Sequence, residues 1–185
     1  MKRLFDVVAA LLGLIVLGPL LLVLVVIIRR DSPGPGIFSQ DRVGRNGRVF
    51  RCHKLRSMTR GAPNVPTHEA AVSHITDLGR VLRRTKLDEL PQLWNVLLGE
   101  MSLVGPRPCL PSQSELIAER EKRGVLRIRP GITGLSQIEG IDMSEPVRLA
   151  ERDADYVRSR SFVGDLRILL RTALGGEGRG DRVRF

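Results

Sequence analysis

Aromatic residues make up only 4% of this 185-residue chain. Recognition of bases by stacking needs exposed rings, so that mode has little material here. Cysteine is scarce too. Cys52 and Cys109 fit no zinc spacing and no disulfide framework, which points to a reducing compartment. Acidic residues are outnumbered by basic ones, 20 to 30, for a net charge of +10. That surplus suits an anionic partner: nucleic acid, lipid headgroups or a phosphorylated substrate. A hydrophobic content of 42% excludes a disordered chain, and the length suits one domain with a core.

Charge is absent altogether from Val7 to Ile28. As a straight helix this run measures roughly 33 Å, enough for a bilayer core of about 30 Å. Arg29-Arg30-Asp31 follows it where a signal peptide would carry small residues for cleavage. Gly18-Pro19 interrupts the run near its middle, and Pro19 cannot donate to the Ile15 carbonyl. Basic residues flank both ends, Lys2-Arg3 and Arg29-Arg30, which favours both ends on the cytoplasmic side. A kinked helix that enters one leaflet and returns satisfies both observations. So does a tilted span with a tolerated proline.

Beyond a turn-rich exit at Ser32-Pro33-Gly34-Pro35, residues 37–40 and 49–55 read as short strands around a Gly44-Arg45-Asn46-Gly47 turn. Arg51, His53, Lys54 and Arg56 make this hairpin basic, either as a solvated edge or within reach of a phosphate. Residues 61–67, with Pro63 and Pro66, read as a loop. Residues 78–87 read as a short basic helix, 114–124 as a solvated charged helix and 149–157 as a further helix. Residues 162–174 pattern as an amphipathic helix, packed on the core or lying in a membrane interface.

The chain centres on Leu87-Asp88-Glu89-Leu90-Pro91-Gln92-Leu93-Trp94-Asn95. Asp88 is a good N-cap, Pro91 is tolerated in a first turn, and Leu90, Leu93, Trp94 and Leu97 have the spacing of one buried face. An acid pair at a helix start stays ionised. It can share a divalent metal, and one member can act as a nucleophile. It can equally be a capped helix with ordinary surface acids. No histidine occupies a comparable position, so a serine–histidine mechanism lacks support. Arg107 is held in a stiff turn between Pro106 and Pro108, which suits bidentate contact with phosphate. A second stiff turn, Arg129-Pro130-Gly131-Ile132-Thr133-Gly134, is followed by Ser136-Gln137. Its glycines permit close approach to a ligand. Arg129 and Gln137 are therefore candidate substrate contacts.

Six segments occur in the order of a known family. They are Lys2-Arg3-Leu4-Phe5-Asp6, Ser32-Pro33-Gly34-Pro35, Lys54-Leu55-Arg56-Ser57-Met58, residues 82–93, Val104-Gly105-Pro106-Arg107-Pro108 and residues 129–134. Together they resemble the small bacterial sugar transferases, the monotopic phosphoglycosyl transferases. The resemblance implies transfer of a sugar 1-phosphate from a UDP-sugar to polyprenyl (undecaprenyl) phosphate with release of UMP, the first membrane step of glycan assembly. It places the catalytic dyad on Asp88 and Glu89, with Asp88 as nucleophile in a covalent phosphosugar intermediate and Mg²⁺ at the same carboxylates. It puts Arg83 and Arg107 on phosphates and Asp153 at a further site acid. It favours the re-entrant helix, with Gly18-Pro19 at the break and Lys2 and Arg3 at the headgroups of membrane lipids. Relatives often carry Tyr-Lys-Phe where this chain has His53-Lys54-Leu55.

The expected protein is α+β and mainly helical. A re-entrant membrane helix occupies residues 1–30. A catalytic sugar transferase domain with a short β-hairpin and interfacial amphipathic helices occupies 31–174, and a flexible tail occupies 175–185. It is expected on the cytoplasmic face of a bacterial inner membrane, without nucleic acid, and with self-association left open. The competing classes are a membrane-tethered nucleic-acid-binding protein, which leaves the acid pair unexplained, and a scaffold without catalysis.

Overall fold

The computed structural model describes residues 1–62 and 74–175. The expected loop at 61–67, with Pro63 and Pro66, and the tail lie outside the described residues apart from their first positions.

Helix α1 runs from Lys2 to Asp31 and continues across Gly18-Pro19, which was expected to break it. A prolyl ring removes one donor and leaves the rest of the ladder to hold the turn. It is the one helix among the described residues long and apolar enough to cross a membrane, and only 11% of its most apolar window is buried. A core helix would be covered by protein; here Leu12, Ile15, Val16, Leu22 and Val23 are exposed.

Both ends of α1 nevertheless grip the same body of protein. At the N-terminal end Asp6 is buried and accepts from Ser102 Oγ (2.9 Å) and the Leu103 amide (3.3 Å). Lys2 donates to Asp165 at 2.6 Å, and Ala10 lies in the main apolar core with Leu93, Val96 and Met101. At the C-terminal end Leu24 and Ile28 pack with Leu55 and Leu82. Here the buried Arg56 guanidinium donates to the carbonyls of Ile28 (3.0 Å), Ser32 (2.6 Å) and Pro33 (2.6 Å). Helix-terminal carbonyls have no intrahelical donor and sit at the negative end of the dipole, so a cation is the natural cap. Arg56→Met is expected to destabilise the protein by about 2–3 kcal/mol, because it orphans buried acceptors of a charged donor. Thermal unfolding in detergent measures this; an unchanged midpoint would show that water replaces the cap at no cost.

The hairpin forms as expected, with β1 (Ile37–Val43) somewhat longer than the pattern indicated and antiparallel to β2 (Val49–Leu55) in the register Gln40 to Cys52. Asn46 and Gly47 take the positive φ that the turn requires. Helix α2 (Asp77–Arg84) follows, capped by the Thr76 side chain on the Gly79 amide. Then come a 3₁₀ turn at Leu87–Glu89, α3 (Gln92–Leu98) and β3 (Ser102–Val104). After these come α4 (Ser114–Lys122), β4 (Gly131–Thr133), α5 (Leu135–Ile138), α6 (Pro146–Ser159) and α7 (Phe162–Ala173). The architecture is mainly helical, with one hairpin and a parallel β3–β4 pair. Three-residue strands are too short to leave a periodic signal.

Helix α7 divides between the two roles its pattern allowed. Asp165 and Ile168 are buried, whereas Phe162, Val163, Leu166 and Leu170 are exposed. Phe162 meets Phe5 of α1 edge to face at 5.2 Å. The exposed apolar surface of α7 thus adjoins that of α1.

Candidate active site

The acid pair does not begin a helix. Asp88 and Glu89 lie in the 3₁₀ turn, which Lys86 opens in the left-handed conformation at φ 60°. Helix α3 starts only after Pro91, whose ring presets φ and needs no acceptor in the first turn. The buried face also differs from the expected one. Gln92, Leu93, Asn95 and Val96 are buried, whereas Trp94 is half-exposed. Asn95 accounts for the rotation. Its Oδ1 accepts from the His53 amide (3.1 Å), and its Nδ2 donates to the Arg51 carbonyl (2.6 Å) and to Glu100 (2.6 Å). A polar residue with its inward-facing bonds met is stable in a core. This one staples α3 to β2 and sets Lys54 beside the dyad.

The two carboxylates, 7% exposed each, have different surroundings. Glu89 Oε1 accepts from both Lys54 Nζ and Arg107 Nη2, each at 2.9 Å. Burial pushes its carboxyl up, but the Arg107 and Lys54 charges outweigh burial and hold it far below the usual range. Asp88 Oδ1 is buried and accepts no hydrogen bond from the described residues. Burial and the neighbouring Glu89 charge push the Asp88 carboxyl above its ordinary value, against the pull of Lys54, Arg83 and Arg107. One carboxylate is thus locked as an anion, and the other is held close to the same cations with a buried oxygen that takes no donor among the described residues.

The Arg107 turn is as stiff as its prolines suggest, and the reason lies in its carbonyls. Pro106 accepts from the Gly131 amide, Arg107 from Arg120, Pro108 from Arg42, and Cys109 from the Val43 amide. Three elements, β1, α4 and β4, therefore clamp four consecutive residues. The glycines of the two turns permit this close contact. A Cβ on Gly131 would fall 2.1 Å from the Gly105 amide nitrogen, and one on Gly134 would fall 2.3 Å from the Gly105 carbonyl.

Arg83 reaches the same region and donates from Nε to Ser57 Oγ at 2.8 Å. Asp153 lies one layer below. Arg120 donates to its Oδ2 from Nε (2.9 Å) and Nη2 (2.6 Å), and Ser136 donates to its Oδ1 at 2.5 Å. Arg120 is only 2% exposed, although its helix was expected to be solvated. Gln137 donates to the Ile132 carbonyl at 3.1 Å and borders a small recess beside Arg107. Arg129 is turned elsewhere, with its Nε on the Gly99 carbonyl (2.7 Å) while Arg3 holds those of Val96 and Leu97. These two arginines cap the C-terminus of α3. The structure thus gathers Asp88, Glu89, Arg83 and Arg107 and adds Lys54. It sets Asp153 and Gln137 behind Arg107 and places Arg129 at the far end of α3. Lys54 had been legible as one of several basic hairpin residues and as the start of a family segment, without a site role, and Arg120 carried no signal of burial.

A buried acid dyad faced by three cations and carried beside an exposed apolar helix equips a protein for phosphoryl transfer near a membrane. The chain belongs to the bacterial sugar transferase family, whose model matches residues 1–176. Among its relatives, exopolysaccharide production protein PSS of Rhizobium leguminosarum bv. phaseoli is 40% identical over 97% of this chain and 96% of its own length. The UDP-glucose:undecaprenyl-phosphate glucose-1-phosphate transferase of Caulobacter vibrioides is 42% identical, over 92% of this chain and 67% of its own. Galactosyl transferase CpsE of Streptococcus agalactiae is 42% identical over 92% of this chain, which spans 41% of that relative.

Proposed function

We propose that this protein transfers a sugar 1-phosphate from a UDP-sugar to polyprenyl phosphate, releasing UMP, in bacterial glycan assembly. The observation that carries the reading is the asymmetry of the dyad. Asp88 keeps a buried oxygen without a donor among the described residues, and Glu89 is fixed by Lys54 and Arg107. In the first step an Asp88 oxygen attacks the sugar-bearing phosphorus, the bond to the UMP oxygen breaks, and UMP leaves. In the second step an oxygen of the lipid phosphate attacks that phosphorus. The Asp88–phosphorus bond breaks, and the free carboxylate returns. Arg107 and Arg83 steady the phosphate oxygens, and Glu89 holds Lys54 and Arg107 in place.

The donor set also fits Mg²⁺. Among the described residues no group of three or more His, Cys, Asp or Glu could hold a metal. Mg²⁺ needs only one or two carboxylates when substrate phosphates supply further oxygens. Asp88 and Glu89 would hold it, and when bound it neutralises diphosphate charge.

The Caulobacter vibrioides relative supports the acceptor and the reaction class, since it is a glucose-1-phosphate transferase to undecaprenyl phosphate. The grip of both ends of α1 on one domain supports a re-entrant helix. A spanning helix would carry one end about 30 Å away across the bilayer. In this arrangement the N-terminal end of α1 lies at the level of the headgroups of the cytoplasmic leaflet, although Lys2 and Arg3 also bond Asp165 and the end of α3, and the exposed faces of α1 and α7 lie in lipid.

The test is nucleotide release. Detergent-extracted protein is incubated with Mg²⁺, undecaprenyl phosphate and a panel of UDP-sugars. UMP is expected; UDP would mean ordinary glycosyl transfer and would overturn the mechanism. A pH profile gives a second check. The nucleophile must be ionised, so kcat/KM falls as pH falls through the Asp88 pKa. Lys54 pulls that pKa down. Lys54→Met is therefore expected to move the acid limb to higher pH, and an unmoved limb would separate Asp88 from the rate.

A further inference from the structure

Gln92 is 2% exposed, and its Nε2 is buried without an acceptor among the described residues. A buried amide donor left unpaired costs free energy, so its presence calls for a partner gained in function. Asp88 Oδ1 is buried and lacks a donor among the same residues. The winding of the chain brings these two side chains together. Leu90 (φ −54°, ψ −37°) and Pro91 (φ −61°, ψ −18°) are both helical, and the Leu93 amide donates to the Leu90 carbonyl at 3.0 Å. The 3₁₀ turn therefore runs into α3 as one right-handed coil, on which Asp88 and Gln92 share a face. Side chains on such a coil lean toward its N-terminal end, so that of Gln92 leans toward Asp88. Hydrogen bonds between Gln and Asp form at this spacing on helices. Asn95, three residues further on, fixes the same face on β2 through the His53 amide and the Arg51 carbonyl. Trp94 and Leu98 lie on the exposed side.

Resting on the reading proposed above, we infer that Gln92 is a positioning residue for the nucleophile: its Nε2 donates to Asp88 Oδ1 during the reaction and leaves Oδ2 to attack phosphorus. A buried Oδ1 cannot reach a bound phosphate, so the attack falls to the other oxygen. As the Oδ2–phosphorus bond forms, the bond from phosphorus to the UMP oxygen breaks, and its electron pair leaves with UMP. Oδ1 then becomes the acyl oxygen of a mixed carboxylic–phosphoric anhydride. In the second step the Oδ2–phosphorus bond breaks and its electron pair returns to the carboxylate. A donor fixed on Oδ1 holds the plane of the carboxyl group and aims Oδ2 in both steps. The neighbouring donors Lys54 and Arg107 serve Glu89. A neutral amide suits Oδ1, because it can donate to that oxygen both as a carboxylate and as an acyl carbonyl without giving up a proton.

The experiment compares wild type with Gln92→Met, which keeps the length of the side chain and removes its amide. Each protein is mixed with Mg²⁺ and UDP-glucose, UDP-galactose or one of their N-acetylated counterparts, without lipid phosphate. Growth of the sugar-phosphate adduct is timed by intact-protein mass. The inhibition constant of UMP and the thermal unfolding midpoint are measured in parallel. Adduct formation is expected to slow by about 10- to 100-fold, the worth of one hydrogen bond to a charged group. UMP inhibition is expected to stay within about twofold of wild type, since the amide is not assigned to the nucleotide. The midpoint is expected to hold or rise, because Nε2 makes no hydrogen bond among the described residues. Gln92→Leu carries the test if Gln92→Met does not fold. Adduct formation at the wild-type rate would overturn this inference and leave the reaction standing. A slowed rate with a matching loss of UMP affinity, or with a fallen midpoint, would also overturn it by making Gln92 a binding or packing residue. Wild type that forms no adduct with any donor would remove the covalent reading above and this inference with it.

Discussion

Asp88→Asn is expected to lower turnover by at least about 10³-fold. The covalent adduct should disappear with it. The two side chains have the same shape, so the substitution isolates chemistry from packing. A carboxamide cannot attack phosphorus and regenerate as a carboxylate does. Asp88 Oδ1 accepts no hydrogen bond from the described residues, so little structural bonding is lost. Burial already pushes the carboxyl toward its neutral form, and a neutral amide should fold at least as well. The measurement pairs UMP release with intact-protein mass after incubation with donor alone. Wild type should gain the mass of a sugar phosphate, and the variant should not, at a similar unfolding midpoint. A variant with near-normal turnover would remove Asp88 as the nucleophile.

Asp153→Ala is expected to cost about 3–5 kcal/mol of stability. The reason is what it leaves behind: Arg120, 2% exposed, would keep its charge in the interior without its partner. Arg120 also donates to the Arg107 carbonyl at 2.8 Å, so the Arg107 turn should loosen and activity should fall further than stability alone explains. Paired replacement by Arg120→Met and Asp153→Leu should recover much of the stability, because no charge then remains buried. It should not recover activity, since the clamp on Arg107 is gone. Thermal unfolding of the three variants beside kcat/KM checks both parts. A loss under about 1 kcal/mol for Asp153→Ala would show that the pair behaves as a solvated one.

What was legible in the sequence follows the range over which each signal acts. The hairpin was legible because a four-residue turn and alternating strands are local. Helix α7 was legible as amphipathic, yet the division of its faces between core and exterior needed α1 beside it. The acid pair was legible as a candidate, but its supposed helix start was not, because Pro91 allows either a first turn or a separate 3₁₀ turn. The buried face of α3 was misread by apolar spacing, since Asn95 is polar and still points inward to meet the hairpin.

The sequence by itself determined a basic chain with one long apolar helix, a basic hairpin, a stiff arginine turn and an acid pair, in the order of one transferase family. Local composition and spacing suffice for these. Only the tertiary structure decided which carboxylate is held by donors and which keeps an oxygen unpaired among the described residues, because the donors to Glu89 come from residues 35 and 18 positions away. It likewise decided that Asp153 is paired with an arginine 33 positions earlier, and that Arg129 caps a helix end 30 positions before it. Hydrogen bonds and burial between distant segments depend on how elements pack, and no periodicity along the chain records that packing.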